Sequence, residues 1–184
     1  PPKADGSLPT NWVSKFGGPA WAPFGDTGDY YLHLYDLTQA DLDWHNPEVR
    51  AELIDVVNFW RSRGVHGFRI NVIGKDAELL DAPAGSDDRK MYTDGPDVHA
   101  YLRELNESSF GRDADSITVG EMSSTSVEAC VGYSNPRNRE LNMVFSFHHL
   151  KVDYKDGEKW TSMPFDMGAL KRVLNEWAVG MQEG

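Results

Sequence analysis

The feature that most constrains the fold is a regular alternation of helix and strand patterns after residue 45. Apolar residues recur at helical spacing over 49–60, and a β-branched and aromatic run follows at about 65–72. Further strand patterns at 116–119, running into Gly120 and Glu121, and at 141–147 are separated by helical ones, and a last helix begins near Asp166. Strands that alternate with helices predict a parallel sheet with crossover helices, so we expect an α/β fold.

Local signals place the ends of these elements. Asn46 is a good N-cap, Pro47 suits the first helical position and Gly64 suits the end of the same helix. A second helix is expected to open at 94–96. By contrast, the first 45 residues predict turns and short strands, including an aromatic strand over 30–35.

Composition excludes several classes of partner. The chain has 184 residues, with 18 Lys and Arg against 29 Asp and Glu, which gives a net charge of −11. Nucleic-acid binding and binding to an anionic membrane surface both need clustered basic residues, so we expect neither partner. Cys130 is the only cysteine, which excludes an internal disulfide and indicates a reducing, cytoplasmic location. We expect no metal and no cofactor.

Polar residues stand at the ends of the three strands predicted after residue 45. They are Arg69 and Asn71 at the first, Glu121 at the second, and His148, His149 and Lys151 after the third. The carboxyl ends of parallel strands meet at one edge of a sheet, where ligands bind. A carboxylate beside an arginine at that edge predicts an acid/base site.

Simpler interpretations of the same residues stay open. A single charge near a strand end is most often a solvated loop charge. The adjacent pair His148 and His149 is not a metal motif, because neighbouring residues of a strand point to opposite sides. The tryptophans Trp12, Trp21 and Trp44 could stack on a sugar, although such residues more often form local core.

Short motifs carry a resemblance to the α-amylase superfamily of glycoside hydrolases. They are Gly67-Phe68-Arg69, Val119-Gly120-Glu121, Phe147-His148-His149 and Gln39-Ala40-Asp41-Leu42-Asp43-Trp44. The last resembles a marker of the oligo-1,6-glucosidase-like branch. Within that branch the chain is most similar to the trehalose-6-phosphate hydrolases, through 11–18, 92–96, 119–126 and 147–154.

The resemblance implies a (β/α)8 barrel with a small domain inserted after its third strand. Residues 1–44 would form the tail of that β-rich domain. Residues 45–184 would form a partial barrel, about strands four to six with helices three to six. A full barrel needs about 250 residues. We therefore expect a central fragment, either natural or the product of a faulty gene model.

The resemblance also implies chemistry, namely retaining hydrolysis by two carboxyl groups about 5–5.5 Å apart. Glu121 matches the acid/base position, a role that requires a raised pKa. Arg69 matches the arginine that orients and pairs with the nucleophile. The parent enzyme would convert trehalose 6-phosphate to glucose and glucose 6-phosphate.

The nucleophile is where the chain departs from the family. Residues 67–76 are three residues shorter than the pattern Gly-Phe-Arg-x-Asp-Val-Ile-Asn-x-Ile-x-Lys-Asp. Either Asn71 replaces the nucleophilic Asp and three residues are lost after it, or 70–76 matches the downstream part and a tripeptide after Arg69 is missing. The second alignment accounts for more of the family pattern, and it does so with a single deletion. Both leave no carboxylate for attack, so we expect this chain alone to be inactive.

Substrate recognition leaves further alternatives. Lys151, with His148 or His149, is the leading candidate for binding a phosphate group, and Arg89 and Lys90 come second. The parent could instead be an oligo-1,6-glucosidase or α-glucosidase acting on plain glucosides. A third hypothesis, from a different class, is a non-catalytic sugar-binding protein.

Overall fold

The computed structural model describes residues 1–71, 80–86, 91–155, 161 and 163–184. The helices of this part of the chain are α1 (Pro47–Arg61), α2 (Val98–Ser108), α3 (Val127–Ser134) and α4 (Met167–Gly180). Its strands are β1 (Trp21–Pro23), β2 (Tyr30–Leu32), β3 (Gly67–Asn71), β4 (Ile117–Met122) and β5 (Met143–Ser146). None of the described helices is long and apolar enough to cross a membrane.

The helices α1 and α4 begin where the local signals predict. The side chain of Asn46 accepts a hydrogen bond from the backbone N–H of Glu48, and Pro47 is the first residue of α1. Asp166 caps α4 by accepting from the backbone N–H of Ala169. The predicted opening of α2 at 94–96 is early, since the helix begins at Val98.

Strands β3, β4 and β5 form one parallel sheet in that order, with β4 in the middle. The helices α2 and α3 lie between consecutive strands in the chain, so each connection is the crossover that a parallel pair needs. The predicted α/β alternation is thus confirmed. The described residues form an open sheet and not a closed barrel.

The two faces of this sheet differ in their packing. Phe68, Ile70, Met122 and Val144 belong to or pack against the main apolar core, which the helices complete. Residues of the other face alternate with them, and Ile117 there is more than half exposed. Because side chains alternate along a strand, every second residue of β3, β4 and β5 lies on this less covered face.

Buried residues of α2, α3, the end of β4 and the adjoining turns form the main core. They are Val98, Leu102, Leu105, Phe110, Met122, Cys130, Tyr133 and Leu141. Burial raises the pKa of the Cys130 thiol to about 12. A thiol of this kind stays protonated, so Cys130 acts as a small apolar core residue.

The N-terminal segment has a core of its own around Trp12, which is 1% exposed. Ala20 and Leu34 from the same segment pack with Trp12, and Tyr92 joins them from after β3. The indole N–H of Trp12 also donates to the backbone oxygen of Leu80. The expected short strands are present as the antiparallel pair β1 and β2, although the aromatic strand ends at Leu32 and not at residue 35.

A buried charge cluster joins α2 to the turn before β5. The carboxylate of Glu140, whose side chain is fully buried, pairs with His99 and Arg103, each at 2.8 Å. The side chain of Asn106 donates to the backbone oxygen of Glu140. Burial raises the pKa of the Glu140 carboxyl, while the two basic partners act in the opposite direction. The charge of Glu140 therefore depends on these partners from α2.

Candidate active site

The register of the sheet brings three of the predicted site residues to one place. Asn71 of β3 lies level with Glu121 of β4, and Arg69 lies level with Val119. Residues level with one another in a parallel pair point to the same side, and so do residues two apart in one strand. Arg69, Asn71 and Glu121 therefore share one face, at the carboxyl ends of their strands.

Arg69 and Glu121 are in direct contact. The guanidinium of Arg69 donates through Nη2 to Oε2 of Glu121. The side chain of Glu121 is 13% exposed and that of Arg69 is 59% exposed. The Arg69 guanidinium also lies 5.6 Å from the centre of the Phe145 ring. The contact places an arginine beside a carboxylate at this edge, as the sequence predicts. The strand of Arg69 ends in the amide of Asn71.

Gly120, just before Glu121, lies against two side chains of the packed core. A Cβ atom at this position would come within 2.7 Å of the end of the Leu141 side chain and 2.8 Å of the end of the Met122 side chain. A larger residue would require these side-chain ends to move. The glycine of the Val-Gly-Glu motif thus leaves room for the core to pack against β4.

A cavity of about 430 Å³ opens beside Glu121. Glu121 and residues that follow β4 and β5 line part of the cavity, and residues of the N-terminal segment line the rest. Its lining residues are Lys15, Phe16, Tyr35, Glu121, Ser123, Ser124, Phe147, Leu150, Lys151 and Tyr154. Aromatic rings with a few polar groups are typical of a sugar-sized ligand site.

Lys15 is one of the cavity residues that the sequence did not single out. Its Nζ donates to Oγ of Ser123 at 2.6 Å, across 108 positions of the chain. No local pattern predicts such a contact, because it depends on how the N-terminal segment folds over the sheet. The motif 11–18, which contains Lys15, was the one available signal.

The residues after β5 separate into different environments. His148, His149 and Lys151 lie in a short 3₁₀ helix, so the strand geometry assumed for the two histidines does not apply. Lys151 reaches the cavity, where its Nζ donates to the backbone oxygen of Ser123 at 2.6 Å. The ring of His148 packs against that of Trp177 on α4, with ring centres 4.9 Å apart. His149 is exposed. Among the described residues that line the cavity, Lys151 is thus present and both histidines are absent.

The burial of His148 makes the stability of the fold depend on pH. Burial lowers the pKa of the His148 imidazole, and the charge of Lys151 acts in the same direction. The unfolded chain therefore binds a proton more readily than the folded one, and stability falls as the pH drops through about 6.5, the ordinary histidine value. We expect His148→Gln to lose less stability than the wild type between pH 7.5 and 5.5 in urea unfolding. An equal loss in both proteins would contradict this assignment.

Two predictions fall outside the described residues. One is the register of 72–76 after Asn71, on which the choice between the two alignments depends. The other is phosphate binding by Arg89 and Lys90.

Comparison with known proteins identifies the family. The family model for the α-amylase catalytic domain matches residues 1–184 of the chain. The chain belongs to the α-amylase family. The family relation accounts for the parallel α/β sheet as part of a TIM-barrel fold.

Other members of the α-amylase family resemble the chain along its whole length. The trehalose-6-phosphate hydrolase of Bacillus subtilis is 55% identical over 186 residues, which cover all of this chain and 33% of the relative. An oligo-1,6-glucosidase of Bacillus sp. (strain F5) is 40% identical and covers 98% of this chain and 37% of the relative.

A solved structure gives the same result. The trehalose-6-phosphate hydrolase of Bacillus licheniformis, as a mutant in complex with the ligand PNG, matches with a TM-score of 0.90 and 50% identity. The match covers 97% of this chain and 32% of that one. The chain thus spans about a third of the length of these relatives.

Proposed function

We propose that the chain is the central part of a retaining glycoside hydrolase whose substrate is trehalose 6-phosphate. In this proposal β3, β4 and β5 correspond to barrel strands four to six, and α1 to α4 correspond to helices three to six. Residues 1–44 are the tail of a β-rich inserted domain, and 45–184 are the partial barrel. The cytoplasmic location expected from the single cysteine stays a prediction.

One observation carries the proposal. Arg69, Asn71 and Glu121 share one face at the carboxyl end of a parallel sheet, next to an aromatic cavity. Catalytic groups of barrel enzymes come from the ends of several strands at this edge. Glu121 is the acid/base residue, because it lines the cavity and can reach a glycosidic oxygen bound there.

Asn71 occupies the place from which the nucleophile would attack. It is two residues after Arg69 and level with Glu121, so both alignments put an amide at this point in space. An amide cannot form the glycosyl ester on which retention depends. The carboxyl group that Arg69 contacts is that of Glu121. The amide at Asn71 supports a chain that binds its sugar without cleaving it.

The identity of the substrate rests on Lys151 and on the relatives. Two of the relatives described above are named as trehalose-6-phosphate hydrolases, at 55% and 50% identity. Lys151 brings an ammonium group into the cavity that contains Glu121. An ammonium is a compact phosphate-binding group, so a phosphorylated leaving-group sugar fits this end of the site. His148 and His149 are the weaker candidates for the same role, since neither lines the cavity among the described residues.

The proposal predicts binding without turnover by the purified chain. Calorimetry is expected to detect binding of trehalose 6-phosphate, while an enzymatic assay detects no release of glucose 6-phosphate. Glu121→Ala should weaken binding about two- to tenfold, the value of one hydrogen bond of about 0.5–1.5 kcal/mol. The matched control is Glu128→Ala, an exposed change in the first turn of α3 that should leave affinity unchanged.

If the chain releases more glucose 6-phosphate than a Glu121→Gln variant does, it is active, and the proposal that it is inactive is wrong. Absence of binding by any α-glucosidic disaccharide would refute the sugar site itself. Equal binding of isomaltose and trehalose 6-phosphate would favour the alternative parent, an oligo-1,6-glucosidase.

A further inference from the structure

The motif over 92–96 is tied to helix α3 by a hydrogen bond. The hydroxyl of Tyr133 donates to Oδ1 of Asp94 at 2.7 Å, across 39 positions of the chain. Asp94 has a φ of +53°, a left-handed conformation that aspartate and asparagine tolerate better than most residues other than glycine. Gly95 and Pro96 follow, and α2 begins at Val98. The bond from Tyr133 thus holds the turn that leads into α2.

Tyr133 is itself held from several directions. It is fully buried, and the ring of His99 stacks on its ring with centres 4.5 Å apart. His99 in turn pairs with the carboxylate of Glu140 at 2.8 Å. Burial raises the pKa of the Tyr133 hydroxyl, and the hydrogen bond to Asp94 acts in the same direction. The hydroxyl therefore stays protonated and remains a donor to Asp94.

The other side of the turn reaches the N-terminal core. Tyr92, two residues before Asp94, is 1% exposed, and its ring packs against that of Trp12. Tyr35 packs against the same core and also lines the cavity beside Glu121. A continuous series of contacts therefore runs from α3, through Asp94 and Tyr92, to the cavity wall.

We infer that Tyr133 is a positioning residue, whose hydroxyl holds the turn at Asp94 and so keeps the N-terminal segment and its part of the cavity wall in place. This role goes beyond the proposed function, because it involves no reacting group and no particular ligand. Asp94 is an exposed residue, so loss of the bond leaves its carboxylate in water and buries no unpaired charge. The effect of losing the bond is therefore local to the turn and the segment that packs on it.

Hydrogen exchange of single amides, followed by NMR on the purified chain, tests this role. The amides of Lys15, Ala20 and His33 are informative, since each donates to a backbone oxygen within the N-terminal segment. Tyr133→Phe removes the hydroxyl and retains the ring. We expect these three amides to exchange about two- to tenfold faster in the variant, the effect of losing one hydrogen bond. Amides of β4 should exchange at the wild-type rate.

Variants of Asp94 test the other partner of the bond. Asp94→Gly tolerates the left-handed turn but offers no acceptor, so it should act as Tyr133→Phe does. Asp94→Asn also tolerates the turn and retains an acceptor oxygen, so it should preserve most of the protection. The double variant of Tyr133→Phe and Asp94→Gly should exchange no faster than either single one, because both remove the same bond.

The control is Tyr101→Phe. It removes a hydroxyl of α2 that lies 3.2 Å from Nδ1 of His45, and it should leave the three amides unchanged. Circular dichroism of each variant checks its folding. If Tyr133→Phe does not fold, the comparison of Asp94→Gly with Asp94→Asn carries the test.

Three results would overturn the inference. In the first, Tyr133→Phe and Asp94→Gly leave exchange in the N-terminal segment unchanged. In the second, both variants accelerate exchange in β4 as much as in the N-terminal segment, as expected if the bond only adds to the stability of the whole chain. In the third, the effects of the two substitutions add in the double variant. Each of these results leaves the proposed function untouched, since none of them concerns sugar binding.

Discussion

Replacing Arg103 by leucine is expected to lower the free energy of unfolding by about 3 kcal/mol at pH 7. The reason is the fully buried carboxylate of Glu140, for which Arg103 and His99 are the paired bases. Without the Arg103 guanidinium, the buried carboxylate of Glu140 keeps only His99 of its two basic partners. Urea unfolding followed by circular dichroism measures the difference.

The same variant should recover as the pH falls. Burial raises the pKa of Glu140 and Arg103 opposes that rise, so loss of Arg103 raises the pKa further. The folded variant then takes up a proton at a higher pH than the wild type does, and its deficit in stability should shrink between pH 7 and pH 5. The control is Arg172→Leu on α4, whose partner Asp166 is an exposed residue. Exposed ion pairs contribute about 0–1 kcal/mol, so equal losses in the two variants would contradict the role of Glu140 as a buried charge.

Replacing Trp12 by alanine is expected to lower the free energy of unfolding by about 3–5 kcal/mol. Trp12 is 1% exposed and packs against Tyr92, with ring centres 5.7 Å apart. The substitution leaves a cavity in the N-terminal core and removes the hydrogen bond to Leu80. Urea unfolding, followed by circular dichroism and compared with the wild type, gives the change.

Trp60→Ala is the matched control, because Trp60 lies on α1 and is 50% exposed. Surface substitutions usually change stability by less than about 0.5 kcal/mol. The Trp12 variant should therefore unfold at a much lower urea concentration than the Trp60 variant. Similar midpoints would show that the N-terminal core adds little to the stability of the whole chain.

The elements that the sequence predicted correctly are those with local causes. Asn46 and Asp166 cap their helices because a short polar side chain can bond to a free backbone N–H within three residues. The order of strands and crossover helices follows from the alternating periods of apolar residues. Glu121 was found as a candidate because it ends a strand in a short motif.

The predictions that the sequence missed or that needed correction concern contacts between distant residues, or backbone whose conformation the spacing of apolar residues does not predict. The two histidines after β5 were assigned to opposite sides of a strand, but they lie in a 3₁₀ helix. Lys15 was not singled out, because its partner Ser123 is 108 positions away.

The amino-acid sequence by itself determined which stretches form helices and strands, that the sheet is parallel, and that an amide stands two residues after Arg69. Each of these properties depends on residues within a few positions of one another, or on the family pattern of short motifs. Only the tertiary structure decided which face carries Arg69, Asn71 and Glu121 together, and which cations reach the cavity. These are properties of strand register and of the packing of the N-terminal segment. They arise because burial of apolar surface brings together side chains that the chain keeps far apart.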